Sequence, residues 1–451
     1  MQTTAPPERL AEVLVALGEA RLRAGEGDAG RAAFEEAVRL ARACARDDML
    51  ARAALGTAGL VVTIVSVDEP LVALLEEALD RLGPQRGALR VRLLSRLAIA
   101  LAYAPAEMRR HALAEEAVST ARALGDPGAL AIALSAAHVV YWAPEHLGAR
   151  LIAADELVTL GERSGDLEIE SHGRHWRVAD LLERGDVAAA EEEVARYERV
   201  AAAARLPAFS WYVPAWRAAL AGYRGDLPSA RRFADEAHAQ GTHAHDANAD
   251  LVLSANHYTL RIVAEAWDEF DLSDLRDRVD SPAGRSYRAH LAHCLAELGD
   301  HDAARALLAE AAAEGFDRMP RDANLLIGLA QLADACAELG DGERAAAVVP
   351  LLEPFADRMV SLVRATGLAG SAARPLGRAL ATAGRWSEAI AALEEAIATD
   401  RSRGGIPFAA RAQRDLAEVL LARAAPGDGA RAGGLLDEAA AAATAAPPVR
   451  G

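Results

Sequence analysis

Lysine is absent from this chain: all 49 of its basic residues are arginine, set against 66 aspartates and glutamates. The absence excludes whole mechanisms. A phosphate-binding P-loop needs its lysine on the β and γ phosphates, and Schiff-base or pyridoxal chemistry needs a lysine amine. Aromatic residues make up only 4% of the chain although 52% is hydrophobic, an excess that is mostly alanine. Alanine favours helices and lets them approach closely, whereas sheets need β-branched and aromatic residues to cover a pleated surface. An all-α fold is therefore expected. Cysteine is scarce too: Cys44, Cys294 and Cys336 form no CxxC pair, so no disulfide framework is implied. No run of about 18 uncharged apolar residues occurs. The N-terminal MQTTAPPERLAEVL lacks the basic region and apolar core of a leader, and the expectation is a cytoplasmic protein that neither crosses nor sits on a membrane.

The net charge of −17 would repel a phosphate backbone, since nucleic-acid affinity comes largely from basic side chains displacing counterions, and direct nucleic-acid binding is not expected.

What the sequence does have is a ruler. Gly-Asp pairs recur at Gly125, Gly165, Gly185, Gly225, Gly299 and Gly340, with intervals of 40 residues from Gly125 to Gly165 and from Gly185 to Gly225, and 41 from Gly299 to Gly340. A half-period near 20 separates Gly165 from Gly185, so each repeat reads as helix, turn, helix, turn. Glycine adopts the left-handed conformation that ends a helix at little cost, and the following Asp can cap the next helix. A second regularity lies inside these hairpins: a small residue, glycine 7 later, a small residue 12 later, an apolar one 16 later and alanine 19 later. Gly18, Gly25, Gly30, Phe34 and Ala37 follow it, as do Ala292, Gly299, Ala304, Leu308 and Ala311, and Gly377, Gly384, Ala389, Leu393 and Ala396. Small residues at fixed places let antiparallel helices touch, and the larger one fills the gap beside them.

This pattern resembles the tetratricopeptide repeat (TPR), with a period longer than that family's usual ~34. It implies a TPR-like superhelix of helical hairpins, an α-solenoid. The pattern weakens over residues 45–120, where Val61–Val67 (VVTIVSV) reads as helix or irregular connector. The expected organisation is an N-terminal array over 1–270, a polar seam at 271–286 around Pro282 and Gly284, a C-terminal array over 287–425, and a short last helix with a flexible tail over 426–451.

Taken together, LGEARLRAGEGDAGRAAFEEAVRLARA, RLLSRLAIALAY, EEAVSTARALGDP and HWRVADLLERGDVAAAEEEV, followed by RLPAFSWYVPAWRAALAGYRGDLPSA, resemble the C-terminal TPR region of large actinobacterial ATPase transcriptional regulators of the LuxR-type and antibiotic-regulatory-protein-like group. In that family a nucleotide-binding domain precedes the repeats, and a helix-turn-helix or cyclase domain lies at one end. Neither the GxxxxGK[ST] motif nor a basic recognition helix is in this sequence, so those activities transfer to none of its residues. The resemblance implies a sensing or interaction arm whose catalytic neighbour was removed, lost or encoded separately.

Gly25–Gly30 (GEGDAG) fits the dinucleotide fingerprint GxGxxG, but it follows an amphipathic helix rather than a strand, and its glycines coincide with the repeat's own turn. His238, His243, His245 and His257 lie near Asp246 and Asp250, yet without a metal-binding helical spacing such as HExxH, so a solvated loop explains them and no metal or cofactor is expected. His290, His293 and Cys294 share a helix whose apolar register accounts for the cysteine. GxSxG is missing, and paired acids such as Glu394-Glu395 read as solvated faces, so no enzyme activity is expected. The leading site is a set of aromatics and arginines: Trp176-Arg177 and Trp216-Arg217, each tryptophan nine residues before its hairpin glycine, with Phe209, Trp211 and Tyr212 nearby. On the concave face they could grip an acidic peptide or a ring-bearing ligand by stacking and bidentate hydrogen bonds; alternatively the tryptophans wedge between hairpins as core. The expected function is a non-enzymatic scaffold that acts as the protein-interaction or effector-sensing arm of a regulator, with a protein or peptide partner. The alternative is a small-molecule effector sensor with its pocket at the seam.

Overall fold

The computed structural model describes residues 6–23, 26–58, 67–84, 87–102, 104, 106–205, 207–244, 246–265, 272–279 and 284–445. The chain divides into two compact units, 1–142 with 152–173 and 143–151 with 174–451. Both are helical. The helices in order are α1 Pro7–Arg23, α2 Gly27–Ala43, α3 Asp47–Thr57, α4 Glu69–Leu82, α5 Ala88–Ala100, α6 Glu107–Leu124, α7 Pro127–Val140, α8 Leu147–Ser164 and α9 Leu167–Arg184. Then follow α10 Val187–Ala204, α11 Pro207–Ser210, α12 Tyr212–Arg224, α13 Leu227–His243, α14 Ala249–Ala264, α15 Ser273–Val279, α16 Gly284–Glu297, α17 His301–Glu314, α18 Leu325–Leu339 and α19 Gly342–Leu352. A two-stranded antiparallel hairpin, β1 Met359–Leu362 and β2 Gly367–Ser371, precedes α20 Ala373–Thr382, α21 Trp386–Ser402, α22 Ile406–Arg423 and α23 Asp428–Ala445. None of the described helices is long and apolar enough to cross a membrane. The architecture is an all-α, TPR-like array of helical hairpins.

The Gly-Asp ruler marks the helix ends. All six glycines have positive φ, from 67° to 88°. Behind them Asp126 accepts from the Gly128 and Ala129 amides, Asp166 from Glu168 and Ile169, Asp226 from Ser229, Asp300 from Ala303 and Asp341 from Arg344. Asp186 departs from the pattern: it makes no side-chain cap and instead accepts from Arg184 at 2.6 Å.

In the first unit the 16-residue offset is a direct contact. A β-carbon on Gly18 would lie 2.7 Å from the ring of Phe34, and one on Gly56 in α3 would press on the same fully buried ring. Around Phe34 gather Val15, Leu50, Leu75, Leu93 and Leu97, so the core is shared by the five successive helices α1 to α5. The β-branched run expected to be helix or connector falls, at residues 61–66, outside the described residues.

The second unit repeats the device at Gly377, whose β-carbon would stand 2.6 Å from Cγ of Leu393. Its turns also meet one another. The guanidinium of Arg403 covers Gly185, and Pro407 packs on Gly225, which brings the α9–α10 and α12–α13 turns against the α21–α22 turn. Of segment 271–286, residues 271 and 280–283 lie outside the described residues, and α15 packs on α16.

The hairpin is the departure from all-helical expectation. Its four-residue turn runs from Val363 to Thr366, with the Thr366 amide donating to the Val363 carbonyl at 3.2 Å. Val363, Arg364 and Ala365 all have positive φ, 46°, 57° and 58°. Such a turn usually takes Asn-Gly because L side chains pay roughly 1–2 kcal/mol per residue for the left-handed region. Three successive residues hold it here only because the surroundings over-determine them.

Candidate functional site

The hairpin of the second unit lies against the helices that carry the tryptophans. α9 supplies His175 and Trp176, α10 supplies Tyr197, and α12 with the residue before it supplies Trp211, Tyr212 and Trp216. Trp211 and Trp216 are fully buried, and Trp176 and Tyr212 nearly so. His175 sits at the centre, with ring centroids 4.9 Å from Trp176, 4.5 Å from Tyr212 and 5.1 Å from Trp216. Tyr197 meets Trp216 edge-on at 5.2 Å, and its hydroxyl donates to the Phe209 carbonyl at 2.8 Å, which fixes α11 to α10. The Trp211 ring lies tilted against Tyr212 with centroids 4.1 Å apart and packs on Gly241 of α13.

Into this cluster the hairpin turn inserts Arg364. Its guanidinium carbon lies 5.3 Å from the ring centroid of Trp176 and 5.6 Å from that of Tyr212, and Nη1 donates to the Tyr212 hydroxyl at 2.7 Å. The Trp216 indole donates to the Arg364 carbonyl at 3.0 Å. Burial pushes the Tyr212 phenol up to about 12, with Arg364 opposing the rise, so the phenol is neutral and accepts a hydrogen bond from the cation. Among the described residues no carboxylate stands within ion-pair distance of Arg364. Arg174 on α9 is the contrast, for its charge is met by buried Glu193 at 2.7 Å.

The rest of the hairpin is held polar group by polar group. Asn256 of α14 donates to the carbonyls of Thr366 and Ala215. The Leu368 amide donates to Thr259 Oγ1 at 2.8 Å, and Gly367 lies against the Ala255 carbonyl, where a β-carbon would come to 2.6 Å. At the far end Asp400 of α21 is fully buried and accepts from the Ser371 amide at 3.1 Å and from the Tyr223 hydroxyl at 2.8 Å. Burial pushes the Asp400 carboxyl up to about 6, although both hydrogen bonds favour its charged form. The stacked pair Tyr223 and Phe408 closes the site beside Gly370.

The seven residues singled out from sequence thus separate. Trp176, Tyr212 and Trp216 converge on one occupant; Trp211 backs Tyr212, and Phe209 lends a backbone carbonyl. Arg177 and Arg217 lie on the rim, facing Glu193 at 3.8 Å and Glu198 at 2.7 Å. The aromatic faces meet a cation of the same chain. Sequence reasoning missed Arg364, Asn256, Thr259 and Asp400; the one available signal was the alternating segment MVSLVRATGLAGS, which lacks the Asn-Gly of a hairpin.

A second polar cluster ties α16, α18, α20 and α22 together. Asp334 is bridged by Arg374 at 3.2 Å and Arg378 at 2.7 Å, and Asp415 meets Arg374 at 2.7 Å. Burial opposes the charge of Asp334, yet the two arginines outweigh it and hold its carboxyl well below the usual range. Beside it, burial lowers His290 to about 3 and His293 to about 4, keeping both neutral. Burial likewise pushes the Cys294 thiol up, the reverse of what a nucleophile needs. Of the loop histidines, His238 pairs with Asp250 at 2.8 Å, and His245 lies outside the described residues. Among the described residues, no metal-sized group of three ligands includes His238, His243 or His257.

No family model matches the chain, and no curated protein does. Among solved structures it is similar to a Rap protein complexed with competence and sporulation factor, at 12% identity over 98% of this chain and 100% of that one, with a TM-score of 0.37. It is similar also to the APC/C hetero-tetramer Cut9–Hcn1, at 12% identity over 96% and 94% of the two chains and a TM-score of 0.33. A circular tandem repeat protein with novel repeat topology covers 97% of the chain at 15% identity, with a TM-score of 0.13. At these scores none of them says what this chain binds.

Proposed function

We propose that this chain is a non-enzymatic helical-repeat scaffold that binds protein segments on the inner aromatic face of its second unit. The reading extends to the partner-docking or effector-sensing arm of a transcriptional or signalling regulator, as the sequence resemblance implies. One observation carries the binding role: first helices α9, α12 and α14 already hold a strand-turn-strand segment, by the Trp216 indole and the Asn256 amide donating to the Arg364 and Thr366 carbonyls and by aromatic faces on its one cation. Those are the means by which a groove recognises a peptide, main-chain hydrogen bonds for affinity and a side-chain pocket for specificity. The neutral, buried histidines and the unactivated thiol support a non-catalytic role, since a general base works best with a pKa near the operating pH.

The test is photo-crosslinking in the native host. A photoreactive residue at position 217, on the rim of the aromatic face, is expected to yield an adduct with a discrete protein, and one at position 236, exposed on α13, is not. Adducts identical at both positions, or only intramolecular ones at 217, overturn the scaffold reading.

A further inference from the structure

We propose that the Trp176 and Tyr212 rings, backed by His175 and Trp216, form a receptor for a guanidinium side chain, and that Arg364 is its ligand in cis. The ligand in trans is then an arginine at the tip of a turn in another protein. This inference rests on the scaffold reading above and specifies the chemistry that the aromatic face recognises.

Three independent features point the same way. First, Arg364 is recognised without a counter-charge: its guanidinium is met by two ring faces and one phenol oxygen. A planar, weakly hydrated cation suits that environment, whereas a compact, strongly hydrated ammonium does not. Secondly, the backbone that delivers Arg364 is strained. Three successive left-handed residues include β-branched Val363, so the occupant pays for its position in a way that an external turn with a relaxed backbone would not. Thirdly, Arg364 is only half-buried, and its Nε finds no acceptor among the described residues. The cis ligand therefore leaves one buried donor unsatisfied. An occupant that is strained, incompletely bonded and partly open to water is one that a better-fitting arginine can replace.

Occupation in cis lowers the apparent affinity for any ligand in trans by the fraction of time the receptor is free. Removing the cis ligand should lift that penalty. Arg364→Gly does so with the least disturbance, because the position has a φ of 57°, which glycine adopts readily, and the hairpin retains its bonds to Asn256, Thr259 and Asp400. Arg364→Ala is a second variant that removes the guanidinium while leaving the left-handed strain in place.

The experiment titrates N-acetyl-arginine N-methylamide into full-length wild type, Arg364→Gly and Arg364→Ala, with isothermal calorimetry and tryptophan fluorescence as readouts. Both variants are expected to bind the probe at least tenfold more tightly than wild type, and to bind the matching citrulline amide, which has the shape without the charge, at least tenfold more weakly. Adding Trp176→Ala to Arg364→Gly should abolish the binding. Equal binding by wild type and the variants, equal binding of the citrulline probe, or no binding by variants whose circular dichroism matches wild type would each overturn the proposal. The two readings fail separately: a discrete partner crosslinked at position 217 with no probe binding removes only the guanidinium specificity, and probe binding with no partner removes only the scaffold role.

Discussion

Replacing Asp400 with asparagine isolates the electrostatics of the anchor that ends the hairpin. Asp400 is fully buried, it holds the Ser371 amide and the Tyr223 hydroxyl, and burial raises its carboxyl from 3.8 to about 6. An acid whose folded pKa is raised keeps its proton more tightly in the folded state. Its contribution to stability is fully present below about pH 3.8 and is lost as the pH climbs through about 6. Two pK units correspond to about 3 kcal/mol. Asparagine has no such proton to lose, and it keeps an oxygen for the Ser371 N–H and an amide for the Tyr223 oxygen. The stability of Asp400→Asn relative to wild type should therefore grow by about 3 kcal/mol between pH 4 and pH 7.5, or about 6 °C in melting temperature for a unit of this size. Scanning calorimetry across that range measures it. Buried His290 and His293 act in the opposite sense, since their lowered pKa values make stability fall as the pH drops below 6.5. They are the same in both proteins and cancel in the difference. A difference that is flat with pH, or one that shrinks as the pH rises, refutes the reasoning.

Three further substitutions probe other parts of the framework. Trp216→Phe keeps a large ring but strips the donor from the Arg364 carbonyl, and a loss of about 1–2 kcal/mol is expected in denaturant unfolding followed by far-ultraviolet circular dichroism. Asp334→Asn leaves Arg374 and Arg378 under-compensated in a buried cluster, so a loss of about 3–5 kcal/mol is expected by the same assay, and a neutral result would show that solvent reaches those arginines. Gly56→Ala presses a methyl group into the Phe34 ring; overpacking of about 1–3 kcal/mol outweighs the helix propensity gained, and limited proteolysis should show the first unit opening at lower temperature while the second is unchanged.

The helical hairpins were legible because their determinants are local. A glycine that stops a helix and an aspartate that caps the next act within four residues of each other, and the Gly18–Phe34 and Gly377–Leu393 contacts recur at a fixed spacing that the sequence displays. Asp186 escaped the pattern because neighbouring Arg184 competed for its carboxylate. The candidate site was legible in position and illegible in occupancy. Trp176 and Trp216 could be placed by their register before the turn glycines, with Tyr212 nearby, yet what covers them lies 148 residues beyond Trp216. The covering segment carried no hairpin signature, because its turn places Arg364 and Ala365 where φ is positive and tertiary contacts, rather than residue preference, keep them there. Likewise Asp400, in a helix that reads as an ordinary solvated amphipath, becomes an anchor only when β2 arrives beside it.

The claim on which all of this depends is that the chain's own hairpin occupies the aromatic face, and native-state hydrogen exchange tests it without any partner. The amides of Leu368 and Ser371, bonded to Thr259 and Asp400, should exchange as slowly as the central amides of α12 and α14, and Trp216→Phe should speed them selectively. Exchange of both amides at the rate of an exposed loop, with α12 and α14 still protected, would mean that the hairpin is undocked and the aromatic face is open.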